Sequence, residues 1–316
     1  MEVTSHQPSA QSDLSKLKDL IRSESFPFWL FLVLWFGQLC LALEPSWGDG
    51  TYYDYGYMVI LLVPFFFHSR WSEIKGAGDR LIVEAPKMVQ SPLVVIFFGA
   101  AFCSIVMLRL IQTVDSGWRA PLVVHAFLMI GFAAFCLSRV IGGRALLTFF
   151  PCAVLILLAV PLPSAVEFSL IHGLTERVVD TAVFANRMLG LPVTSSGETL
   201  FANGIPLHVS EGCSGIRSFQ SSIFAGFVLG EFIRLSILNR LILLGLSLFT
   251  AFCMNCLRVI YLVQHAAGHP GADLQKVHDI SGYVSLTLTF ITIFALSSFL
   301  KKSEHGGEQQ AAAATV

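Results

Sequence analysis

Three short stretches of the chain hold side chains able to carry acyl-transfer chemistry. In HVSEGCSGIRSF, residues 208–219, Cys213 sits between Gly212 and Ser214, with Gly215 next, Glu211 before and Arg217 after. A long apolar run follows, which predicts Cys213 in the first turn of a helix. There, unpaired N–H groups and the positive end of the helix dipole favour a thiolate. Gly212 and Gly215 leave room for a substrate backbone to approach. The second stretch, MNCLRVIYL, carries Asn255 and Arg258 one helical turn apart, on one face. A fixed cation at that point would stabilise a thiolate or the oxyanion of acyl transfer, and the amide would orient a carbonyl or the arginine. The third, VHDISGY, carries His278, a side chain that takes and returns a proton near neutral pH.

These stretches are far apart in the chain, so something must bring them to one level. Composition indicates what. Of 316 residues, 54% are hydrophobic and 13% charged, and the mean hydropathy is +0.70. Soluble domains carry about a quarter charged residues, and this chain could not cover a water-facing surface. Its apolar residues fall in blocks long enough to cross a bilayer, at roughly 20 residues per crossing. The expected fold is therefore all-α: a polytopic membrane bundle of eight spans at 26–43, 55–69, 92–112, 120–138, 145–163, 215–233, 241–262 and 280–300. The net charge of -1 does not bear on nucleic acid, but no basic cluster resembles a nucleic-acid footprint, and that class is set aside. The lipid bilayer is the partner that the composition demands.

Lys and Arg set the orientation. With eight spans, thirteen of the twenty basic residues fall on one side, including Arg70, Lys75, Arg80 and Lys87 after the second span. Removing that short, Pro64-containing span would move these four cations to the poor side. Both termini are then cytoplasmic, and residues 1–25 and 301–316 read as disordered tails around a membrane domain at 26–300. The first span is read as a retained anchor, since LCLALEP offers no cleavage site. The one long outer connection, 164–214, divides into an amphipathic helix over SAVEFSLIHGLTERVVDTAVFANRMLGLPV and a glycine-punctuated hairpin or extended segment. This topology places Cys213, Arg258 and His278 together at the outer membrane surface. None of the three entered the charge count that oriented the chain.

EGCSGIRS, then Asn255-x-x-Arg258 on the next span, then HDISG from His278, resemble the exosortase/archaeosortase family from about residue 144 to 300. The resemblance implies a membrane-embedded cysteine transpeptidase of the bacterial, PEP-CTERM-type branch, with Cys213, Arg258 and His278 as its catalytic residues. It also implies partners. They are exported proteins with a C-terminal tripartite tail (short motif, transmembrane helix, basic cluster), cleaved through a thioester and passed to a glycan or lipid acceptor. Such an enzyme would sit in the bacterial inner membrane with its site facing the periplasm. No metal and no organic cofactor is called for. Glu211 and Arg217 correspond to the family's acidic and basic neighbours of the cysteine, and Gly212, Ser214, Gly215 and Asn255 complete the supporting set.

Other chemistries compete for some of these residues. Cys253 and Cys256 form a C-x-x-C pair suited to a membrane thiol–disulfide oxidoreductase, although they fall inside a span. His265, His269 and His278 could hold zinc, but no H-E-x-x-H accompanies them. A transporter would need polar residues at mid-membrane depth in several spans, and these spans are mostly bare. Arg109, at the end of the third span with no motif around it, reads as snorkelling to the headgroups.

Overall fold

A computed structural model of the chain describes residues 26–48, 52–76, 92–115, 117–141, 143, 145–209, 215–269 and 273–314. Among them are nine α-helices: α1 (Phe26–Gly48), α2 (Gly56–Gly76), α3 (Pro92–Val114), α4 (Ala120–Ile141), α5 (Phe150–Ala159), α6 (Ser164–Met188), α7 (Ile216–Phe232), α8 (Ile237–Gly268) and α9 (Leu274–Ala314). Each of the eight expected spans corresponds to one of these helices, and α6 is the expected amphipathic helix. The protein is an all-α polytopic membrane protein. By length and composition α1, α3, α4, α8 and α9 can each cross a bilayer unaided, and α5 with α6 makes a sixth crossing if the pair is counted as one broken span. Helix α2 carries charge in its last turns, and α7 has 17 residues, roughly 26 Å of rise. The expected disordered tail at 1–25 lies outside the described residues.

Three boundaries differ from the expectation. The fifth span was expected to run to residue 163, but α5 stops at Ala159 because Pro161 and Pro163 impose extended backbone on the residues before them. The last helix begins at Leu274 rather than near 280, so His278 is helical. The same helix continues through the expected tail at 301–316 as far as Ala314. Its Ala, Glu and Gln residues are good helix formers, and Glu304 accepts hydrogen bonds from the Ser236 backbone N–H (2.8 Å) and the Asn239 amide (2.7 Å).

The chain divides into two compact units, Met1–Pro45 with Tyr57–Pro161, and Ser46–Gly56 with Leu162–Val316. In the first, Phe31, Trp35, Phe97, Phe98 and Phe132 form a chain of ring contacts among α1, α3 and α4. Arg109, expected to snorkel, has a side-chain partner: its Nη1 donates to Gln112 Oε1 at 3.4 Å, and Gln112 meets the buried His125 at 3.5 Å.

The second unit holds all three chemical stretches. Helix α6 buries Thr175, Val178, Val179, Ala182 and Asn186, the spacing of one helical face. It ends at Met188, and Gly190 just beyond turns the chain away with a φ of +86° that a side chain would resist. The expected hairpin is a three-stranded antiparallel meander, β1 (Val193–Ser196), β2 (Thr199–Ala202) and β3 (Ile205–His208). Asn203 (φ +50°) and Gly204 (φ +80°) turn between the last two strands, as the Asn-Gly pair dictates. Val193, Leu200 and Ala202 bury against α6 and against Cys256, Val259, Leu262 and Val263 of α8. On its other flank α8 receives α7, and Gly226 is tight enough there that an added Cβ would lie 2.7 Å from Ser247 Oγ. Small residues permit such close approach where apolar burial between helices gives no net drive.

Candidate functional site

The polar centre of the second unit forms where α8 meets α9. Helix α8 buries Leu243, Ser247, Ala251, Asn255 and Val259, a stripe with a step of four that packs on its neighbours. Asn255 is the amide within that stripe, and Arg258 lies three residues on. The Arg258 Nη2 donates to His278 Nε2 at 2.9 Å and to the His278 carbonyl oxygen at 3.3 Å. Gly282, one turn along α9, makes room for it: an added Cβ would stand 3.0 Å from that same Nη2. Arg258 and His278 are thus brought into contact, as expected from the topology.

The contact selects a tautomer. A guanidinium only donates, so in this contact His278 Nε2 is the acceptor and Nδ1 the protonated nitrogen. That Nδ1–H points at Asp279 Oδ1, 3.1 Å away. A carboxylate there holds the tautomer, as an orienting group does for a histidine in nucleophilic catalysis. Asp279 was not among the expected site residues, although its place directly after His278 was a readable signal. Gln275 Nε2 donates to the same Oδ1 at 3.0 Å, one helical turn back.

The start of α7 comes to the same place. Helix α7 begins at Ile216 with Gly215 (φ +82°) as its N-cap, so Cys213 precedes the helix in the chain rather than lying in its first turn as expected; an added Cβ on Gly215 would lie 2.6 Å from Asn255 Nδ2. Only a glycine meets both demands, a left-handed backbone and contact with a buried amide. Gly215 and Asn255 therefore join the beginning of α7 to the turn of α8 that carries Arg258. Ile216 is buried beside them, while Arg217 is exposed. On the other side of the loop, Val209 is buried with the sheet, and its N–H donates to the Glu198 carbonyl at 2.9 Å. Glu211, Gly212, Cys213 and Ser214 lie outside the described residues, between these two anchored ends.

The competing residues fall elsewhere. Cys253 and Cys256 are both free thiols on α8, and Cys256 is buried in the apolar cluster under the β-sheet. His265 and His269 stack with ring centroids 4.6 Å apart. Among the described residues no three His, Cys, Asp or Glu side chains are grouped to hold a metal ion.

Residues 47–295 match the family model described as transmembrane exosortase. No curated protein and no solved structure matches the chain. The matched range begins in the last turn of α1 and ends within α9, so it contains α2 through α8 and every residue of the polar centre. The chain belongs to the transmembrane exosortase family, membrane-embedded cysteine-type transpeptidases that sort exported proteins.

Proposed function

We propose that this protein cleaves the C-terminal sorting signal of exported proteins at the periplasmic face of the bacterial inner membrane, with Cys213 as nucleophile, Arg258 as the charge-stabilising group and His278 as the proton carrier. The observation that carries the reading is the Arg258–His278 contact, set one helical turn from the Gly215–Asn255 contact that begins α7. The supporting set is Glu211, Gly212, Ser214, Gly215, Arg217 and Asn255. Asp279 joins it as the group holding the His278 tautomer.

In the resting arrangement Arg258 occupies the lone pair of His278 Nε2, so His278 cannot take a proton until Arg258 leaves it. The developing oxyanion of the scissile peptide supplies the pull: a full negative charge outcompetes a neutral imidazole for the guanidinium. Cys213 Sγ then bonds to the carbonyl carbon as the thiol proton passes to His278 Nε2. The C–N bond breaks, the departing amine takes that proton from His278, and a thioester remains. Water or an acceptor hydroxyl or amine, on a glycan or lipid, attacks the thioester carbon and gives its proton to His278; the C–S bond breaks and the departing Cys213 sulfur takes that proton back. A substrate tail held in the bilayer is confined to two dimensions with its scissile bond at a fixed depth, and this raises the effective concentration at the nucleophile.

The test is a reporter carrying a tripartite C-terminal signal, co-expressed with the wild-type chain, Cys213→Ala or Cys256→Ala. Tail removal lost in Cys213→Ala alone, with normal insertion of that variant, supports the reading. Removal that persists in Cys213→Ala and vanishes in Cys256→Ala overturns it and assigns the thiol chemistry to α8.

A further inference from the structure

The outer loop Ser46–Gly56 belongs to the second unit although the helices flanking it in sequence fall mostly in the first. Its anchor is Tyr53, 2% exposed. The Tyr53 hydroxyl oxygen accepts the Leu162 backbone N–H at 2.8 Å and the Gln220 Nε2 at 3.1 Å. Leu162 lies between Pro161 and Pro163, at the corner where α5 has ended and α6 has not begun, and neither proline has an N–H to offer. Gln220 is buried one turn into α7. Tyr55, two residues along the loop, packs its ring on Phe224 of the same helix at 4.8 Å, and Trp47 lies against Gly56, where an added Cβ would come within 2.2 Å of its ring. The described residues of this segment thus set one hydroxyl between Leu162 and the opening turns of α7. The opposite side of that turn rests on Asn255 through Gly215.

We propose that Tyr53 is a positioning residue for the transfer reaction: through Gln220 it fixes the first turns of α7 against Asn255, and with them the helix end that leads directly from Cys213. The proposal rests on the reading of Cys213 as nucleophile. A helix end favours a thiolate only while its unpaired N–H groups keep their aim, and the effect fades within a turn. Releasing Gln220 loosens that aim without removing any group that touches substrate.

The experiment uses the full-length protein in membranes, with Tyr53→Phe, Gln220→Met, the double variant and Cys213→Ala. Two quantities are read: kcat and KM for tail removal from the reporter, and the pH midpoint for labelling of Cys213 by N-ethylmaleimide, quantified on its peptide by mass spectrometry. Tyr53→Phe is expected to lower kcat by about tenfold, the scale of one or two hydrogen bonds, with KM unchanged. The labelling midpoint is expected to rise, because the thiolate loses support. Gln220→Met should do the same, and the double variant should be no worse than either, because both cut one connection. If Tyr53→Phe does not accumulate, Gln220→Met decides alone, since it removes only the amide at similar volume.

Unchanged kcat and an unchanged midpoint overturn the proposal. So does a loss of activity that follows the amount of folded protein while the midpoint stays fixed, because that is a purely structural role. Cys213→Ala separates the two levels. If it still processes the reporter, the functional reading falls and takes the Tyr53 proposal with it. If it is inactive while Tyr53→Phe behaves as wild type, the Tyr53 proposal alone falls.

Discussion

Arg258 sits in a notch on α9. Its guanidinium lies between the imidazole and carbonyl of His278 and the bare backbone of Gly282. Gly282→Ala puts a methyl 3.0 Å from Nη2, the end of a flexible side chain, so the arginine shifts and the helices do not. Reporter cleavage is expected to fall about tenfold or more with thermal stability within ~0.5 kcal/mol of wild type, read by turnover and by thiol-reactive dye melting. Equal loss of activity and stability would show that the glycine serves packing instead. Gly215→Ala differs because it meets both a positive φ and a buried amide, so it should fail in stability as well as activity. Of this centre, Arg258 and His278 could be read from residue type, spacing and topology together. The tautomer and the role of Gly282 could not, because they depend on distances of a few ångströms across two helices that no spacing in the chain encodes.

Between elements, polar ties fix the end of the hairpin opposite the site. Glu231, buried at the end of α7, is paired with Arg240 in the first turn of α8, and Arg240 Nε also donates to the Leu235 carbonyl at 2.6 Å. Arg240→Ala leaves a buried carboxylate without its cation and should cost about 3 kcal/mol. A melting temperature unchanged in Arg240→Ala would show that the carboxylate finds other support. The helices themselves were legible, since a run of apolar residues has no other stable form in lipid. Their ends were less so. Pro161 and Pro163 should have cut the fifth span short on sequence grounds alone, whereas the reach of α9 to Ala314 depends on a tie from Glu304 to Ser236 and Asn239, a contact between residues 65 or more apart in the chain.

At the scale of the whole molecule, the distribution of Lys and Arg predicts both termini in the cytoplasm and the β1–β3 meander outside. Alkaline phosphatase fused after Gly190 is expected to be active and after Ala314 inactive, with a fluorescent protein giving the reverse. Two active phosphatase fusions would break the eight-span orientation and move the polar centre to the wrong face for an exported substrate. Sequence read the segment 164–214 as a helix followed by extended structure, and its described residues to 209 follow that order, because period and glycine positions are local signals. It gave no hint that the loop Ser46–Gly56 folds with the second unit, which the contacts of the Tyr53 hydroxyl and the Tyr55 ring reveal.

That loop constrains how the gene can be recombined. It is encoded between α1 and α2, yet its partners Leu162 and Gln220 are encoded more than a hundred residues later. A single crossover anywhere from residue 57 to 161 inherits the loop from one parent and its partners from the other. Chimeras in which the loop and the back half diverged separately should lose the Tyr53 connection. A double crossover that keeps 46–56 and 162–316 from one parent should keep it, leaving the remaining spans as the part of the chain most readily exchanged.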